Sequence, residues 1–286
     1  MCMKQIVLCI LFLLVGSSAF ATGQESDVLF YHGLRWMLLA RPADSDSSLS
    51  VALEENLPSD RCKSTANWGG YVGYWSVRGD MLILHSIKVQ YLQNGDCVDA
   101  TLPDSFIRRV FHAYDENGVI VARWYSGTLR LARGEMLRYE HVGWERNYET
   151  EIVLTVQNGR IVDSVEYHNR VVCEGFDFES LSMQGWDSLQ LGFRPVLQKY
   201  PQLEGKERII FIVSDFIVDS HGKLVDILRV RCYTQMDEEL NHKLEQEFKQ
   251  YLMNIRPWKV LYINGEYCLP FWRGWSIPIR LNSYQK

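Results

Sequence analysis

The chain has 286 residues, with 30 Lys and Arg against 35 Asp and Glu, for a formal net charge of −5. That length is enough for one large or two ordinary domains with real cores. A mildly acidic balance with scattered cations offers no basic stripe for phosphates, which argues against nucleic acid as a partner.

In chain order the first feature is Lys4, an apolar run from Ile6 to Val15, then Gly16-Ser17-Ser18 and Ala19-Phe20-Ala21. Basic, apolar and small residues in that order predict a secretory signal over residues 1–21, with a mature chain from near Thr22. The run from Ile6 to Ala21 is shorter than the roughly twenty apolar residues of a spanning helix, so no stable membrane span is expected after cleavage. The expected location is periplasmic, or secreted into the cell envelope. Beyond the leader stand Cys62, Cys97, Cys173, Cys232 and Cys268, far apart and without CxxC spacing. That argues against a structural zinc site and a dense disulfide scaffold, and leaves the pairing of the five open.

Residues 22–174 read as a β-rich domain. Val28 to Leu39 mixes apolar and polar residues, and the Pro- and Ser/Asp-containing stretch Ala40 to Asp60 is expected to be a loop. Tyr71 to Val77 and Met81 to Val89 flank Arg78-Gly79-Asp80 as a hairpin; that tripeptide is explained by the turn, not by adhesion. Val119 to Tyr125, Thr128 to Leu131 and Glu135 to His141 continue the β pattern. Glu149 to Val156 and Arg160 to Tyr167 flank Asn158-Gly159, a strong hairpin turn. Only Pro103 to Tyr114 reads as helical there. The expected form is an antiparallel meander, sandwich or partly closed barrel. Of its five tryptophans, Trp75 shares a strand face with Tyr71, Gly73 and Val77 as a core position should, whereas Trp68 and Trp144, next to glycines, are candidate surface aromatics. The stretches Gly70 to Trp75, Trp124 to Arg130 and Glu140 to Gly143 are similar to bacterial proteins of uncharacterised role, and this resemblance adds no function.

Residues 175–199 break the β pattern and are expected to form a junction with a short helix from Leu189 to Lys199. Over residues 200–286 the order changes to a small α+β unit. Arg208 to Val218 and Leu224 to Arg231 meet at Ser220-His221-Gly222. A helix from Asp237 to Asn254 carries Leu240, Leu244, Phe248, Tyr251 and Leu252 at helical spacing, with acids at its start and Pro257 after its end. Asn264-Gly265 then turns the chain toward a last strand, Trp275 to Leu281.

The seven histidines form no HxH or HExxH spacing, and no GxSxG elbow, phosphate loop or dinucleotide fingerprint occurs. Neither catalytic, cofactor-binding nor metal residues are expected, and the chain is read as no enzyme.

Tyr200-Pro201, the strand-turn-strand Phe216 to Arg231 with Gly222-Lys223, the acidic-start helix, Trp258, Gly265 and Ile277-Pro278-Ile279 together resemble the C-terminal domain of the TonB energy transducers of the Gram-negative envelope. The resemblance covers about the last 85 residues. It implies a strand-strand-helix-strand fold that adds an extended protein segment to its sheet edge. By position the edge is the last strand, with Trp275, Ile277, Pro278, Ile279 and Leu281 as candidate partner-binding residues; a dimer through the same strand is a second use of it. The chain departs from a transducer in its cleavable leader and in having only Pro42, Pro58 and Pro103 between Thr22 and Cys173, where a Pro-rich spacer would run. The reading is a binding protein of the cell envelope without a cofactor. The alternatives are a transducer with an uncleaved anchor, and a glycan-acting hydrolase using the Trp-rich domain.

Overall fold

The computed structural model describes residues 23–94, 96–234, 236–271 and 274–281. The secretory leader expected over residues 1–21 therefore lies outside the described residues. The chain is mixed in class and rich in strands, with four α-helices among the described residues. It divides into two compact units. Of the described residues, one holds those up to 131 with 140–145 and 153–165; the other holds 132–139, 146–152 and those from 166 to 281. The second unit thus takes in residues 175–199 together with two segments, 132–139 and 146–152, from earlier in the chain. Two hydrogen bonds explain why the ends of two long strands go with it: Arg138 Nη2 donates to Phe271 O at 2.8 Å, and Asn169 N to Glu149 O at 2.7 Å.

The first unit opens with the hairpin β1 (Asp27–Tyr31) and β2 (Leu34–Leu38), turning at His32-Gly33, both at positive φ. Helix α1 (Ser47–Asn56) follows, where a loop was expected. The Ser/Asp cluster that reads as loop is in fact its cap. Asp46 accepts from Leu49 N at 2.9 Å, and Leu49, Leu53 and Leu57 recur every four residues to be buried. Then come β3 (Tyr71–Arg78), β4 (Met81–Gln93), β5 (Asp96–Thr101), α2 (Asp104–Val110), β6 (Asp115–Glu116) and β7 (Val119–Val121). Strands β8 (Gly127–Tyr139), β9 (Arg146–Gln157) and β10 (Arg160–His168) complete the series, with Asn158-Gly159 at the β9–β10 turn as expected.

The strand order is β10-β9-β8-β2-β1-β3-β4-β7-β6, with β5 also on β4 and a further pairing of β10 with β4. That last pairing closes seven strands into a ring: Arg160 faces Met81, Leu82 N donates to Gly159 O at 2.8 Å, and Ile161 N to Asp80 O at 2.7 Å. The partly closed barrel is the form realised. Strand β1 runs parallel to β3, a departure from the antiparallel pattern. Leu29, Trp75, Leu84, Ile87, Leu129, Leu131 and Leu154 are among the residues buried in this unit.

The second unit adds β11 (Arg170–Cys173), α3 (Met183–Leu197), β12 (Arg208–Val218), β13 (Leu224–Tyr233), α4 (Glu238–Asn254), β14 (Val260–Ile263), β15 (Glu266–Cys268) and β16 (Trp275–Arg280). Helix α3 begins at the Ser182 cap, earlier than the Leu189 start expected. Asn264-Gly265 turns β14 into β15 and not into the last strand; that hairpin pairs with β11 in its own three-stranded sheet. The other sheet has the order β13-β12-β16. Phe193, Phe211 and Phe248 form the centre of the core against it, with the last two rings stacked at 4.0 Å. Asp215, at φ +58°, exchanges the faces of β12: Ile209, Phe211 and Val213 are buried before it, Val218 after it, and Ile217 is exposed.

Candidate functional site

The last strand is built on alternation. Ile277 and Ile279 are fully buried in the core, Trp275 and Leu281 are half-buried, and Ser276, Pro278 and Arg280 are exposed. Four of the five residues singled out in the sequence, Trp275, Ile277, Ile279 and Leu281, therefore anchor the strand through their side chains, and only Pro278 faces outward. The Trp275 ring lies 5.3 Å from Phe178, 5.9 Å from Trp186 and 5.9 Å from Phe271.

Among the described residues strand β16 pairs with β12 alone, from Arg208 opposite Arg280 to Val213 opposite Trp275. Leu281 N donates to Glu207 O at 2.9 Å, which fixes the phase of the ladder. In an antiparallel pair the groups of every second residue point to the partner, so those of 275, 277, 279 and 281 face β12, and those of 276, 278 and 280 face away. Arg280 N agrees, donating outward to Gln190 Oε1 of α3 at 3.0 Å. Pro278 has no N–H. The outer edge thus presents three carbonyls, at Ser276, Pro278 and Arg280, and one donor, Ser276 N–H, without a partner among the described residues.

The opposite edge, on β13, is fenced. Glu245 of α4, almost wholly buried, accepts from Cys232 N at 3.0 Å, and its other oxygen stands 3.0 Å from His242 Nδ1 and 3.8 Å from Arg231 Nη1. Lys249 Nζ reaches Asp226 Oδ1 at 2.5 Å. A groove of about 510 Å³ remains between β13 and α4, lined by Leu228, Val230, Gln246 and these charged groups. No local pattern marks the difference between the two edges, because Gln190 and Glu245 each reach the sheet from a separate helix.

In the first unit Trp68 is exposed and Trp144 half-buried, while Trp36 and Trp75 are buried. Asp27 is fully buried; it accepts from Gly73 N and Trp75 Nε1, each at 2.9 Å, and burial pushes its carboxyl up to about 7 against those two bonds and the nearby Arg41. Tyr71, donating to Asp44 at 2.6 Å, is raised well above its usual range by burial and by both acids. Sequence reasoning missed this network, since Asp27 looks like any acid at a strand start. Ser76 Oγ lies 2.6 Å from His85 Nε2 beside a cavity of about 240 Å³ lined by Arg78, Asp104 and Arg108. Burial and Arg78 lower the His85 pKa, and no acid among the described residues accepts from its other ring nitrogen. Among the described residues no group of three His, Cys, Asp or Glu side chains is placed to hold a metal ion, and no helix is long and apolar enough to cross a membrane.

Comparison with known proteins finds no matching family model, no matching curated protein and no matching solved structure.

Proposed function

We propose that the chain is an exported, non-enzymatic binding protein of a bacterial cell envelope, and that its C-terminal unit takes up an extended segment of another envelope protein as an added strand on β16. The observation that carries this reading is the one-sided pairing of β16 beside a fenced β13. A row of unpaired backbone groups on one edge of a sheet is a template for another chain. The order of residues in the leader supports export, and the TonB-like order of elements after residue 200 supports the binding mode. The packed interior of the ring, with Asp27 already bonded to two donors, favours binding over glycan hydrolysis, which needs two facing carboxyls in an open cleft.

The edge has a stated preference. With three acceptors against one free donor, it selects a segment that donates N–H at successive outward positions, so a proline there is excluded. Gln190 occupies the position of a partner carbonyl at Arg280 and leaves when the segment arrives.

The test is a photo-crosslinking amino acid placed at Ser276 or Pro278, with Arg229 on β13 as the control position. The expected result is an adduct from 276 and 278 that maps to one extended segment, is absent from 229, and disappears when a proline is put into that segment. Adducts equally strong from 229, or adducts indifferent to the proline, would overturn strand addition on β16.

A further inference from the structure

The first unit brings together two cysteines that nothing in their sequence spacing connects. Cys62 Sγ and Cys97 Sγ lie 3.8 Å apart, the only contact between cysteine sulfurs among the described residues. They approach over the same strand. Cys62 N donates to Gln90 O at 2.7 Å on one flank of β4, and Cys97 faces Leu92 on the other flank, in β5. We propose that Cys62 and Cys97 are joined by a disulfide that staples the segment after α1 to the outer strand β5, across β4.

The two ends differ in compliance, which decides how the bond closes. A disulfide holds its sulfurs at about 2.05 Å, so the pair must close from its present contact. Cys62 is held by its neighbour: the buried Arg61 donates to Pro58 O at 2.8 Å and Gly69 O at 2.9 Å, and pairs with Glu54 at 2.5 Å. Strand β5 buries none of its side chains fully, and ends the sheet on that side. Closure therefore moves β5 toward Cys62. Burial raises the thiols of Cys62, Cys232 and Cys268 alike, the second to about 12, so it is the contact between sulfurs that singles out the pair.

The oxidant is an external disulfide, such as that of a thiol oxidase or glutathione. The exposed Cys97 attacks it as thiolate, forming a mixed disulfide and releasing one thiolate. Cys62 then attacks Cys97 Sγ and expels the second. The two protons of the cysteine thiols pass to the two expelled thiolates and two electrons to the external disulfide, which ends as two thiols. The pairing is independent of strand addition on β16, since it involves the first unit alone.

The test is peptide mapping of the full chain, equilibrated with glutathione and glutathione disulfide, denatured, alkylated and digested without reduction. The expected result is one linked pair of peptides containing Cys62 and Cys97, lighter by two hydrogens than the two thiol peptides and separated by dithiothreitol. Alkyl groups on both residues, or links from either to Cys173, Cys232 or Cys268, would overturn the pairing. A second readout guards against partial oxidation. Dithiothreitol should lower the melting temperature of the wild-type chain by roughly 5–10 °C, as expected for a loop of this length, and leave C62S/C97S unmoved; an equal shift in both would also overturn it.

Discussion

The ring of the first unit and the β13-β12-β16 sheet of the second treat the edges of a sheet in opposite ways. The ring joins its ends through Met81 and Arg160, so its seven strands have neighbours on both sides. The three-stranded sheet keeps both ends open and guards them unequally, with Glu245 and Lys249 of α4 on β13 and with one proline and one amide on β16. A closed ring needs an interior filled by side chains, which accounts for the buried Trp75 and its leucines. An open sheet needs only one covered face, which leaves backbone groups free to meet another chain. The difference is why the proposed strand addition is sought on the smaller sheet.

The largest expected effect lies in the ring. The Asp27 carboxyl is raised from 3.8 to about 7, so the folded state holds a proton that the unfolded state releases earlier. Stability from this group is full below about pH 4, falls as pH rises toward 7 by up to roughly 1.4 kcal/mol per pH unit, and is flat above. Arg41 and Asp44 face the same group and stay in both the native protein and the Asp27→Asn variant. Urea denaturation of the two between pH 4 and 8 should show the slope in the wild type and its absence in D27N.

The next effect compares one hairpin turn of each unit. Gly222 (φ +74°) joins β12 to β13, and a Cβ there would stand 2.7 Å from Trp258 O; Gly79 (φ +63°) joins β3 to β4 with nothing within 4 Å. Gly222→Ala should destabilise by about 2–3 kcal/mol, and Gly79→Ala by about 1 kcal/mol, the cost of positive φ alone. Equal losses in chemical denaturation would remove the close approach from the account.

Opening the fence comes third. Glu245→Ala leaves Cys232 N–H without its acceptor and should cost about 1–3 kcal/mol, while raising self-association in sedimentation as the β13 edge is uncovered. The smallest effect belongs to β16. Gln190→Ala frees one exposed N–H, so stability should change by less than about 0.5 kcal/mol, while photo-crosslinking from Ser276 increases.

Legibility in the sequence followed the range of the interactions. Helix α4 was readable because its apolar stripe, the Asp237 cap and the acids after it are all local. The Asn158-Gly159 hairpin was readable because two residues decide it. Helix α1 is not legible locally, because the Ser and Asp residues that mark loops also cap helices. The parallel pairing of β1 with β3, the closure of β10 on β4 and the β14-β15 hairpin beside β11 depend on contacts between distant segments, and no local pattern encodes them. The candidate edge strand was found by its order in the chain. Its acceptor-rich character required the ladder phase set by Leu281 and Glu207, and the contact of Cys62 with Cys97 required the sheet.

The central claim is that β16 is the edge that receives a strand. Its most direct test is residue-resolved amide hydrogen exchange, with the crosslinked segment supplied as a synthetic peptide. Protection of Ser276 N–H should rise at least about tenfold on peptide binding, equivalent to roughly 1.4 kcal/mol, with Leu228 and Val230 on β13 unchanged. No change at Ser276, or protection appearing at Val230 instead, would contradict it.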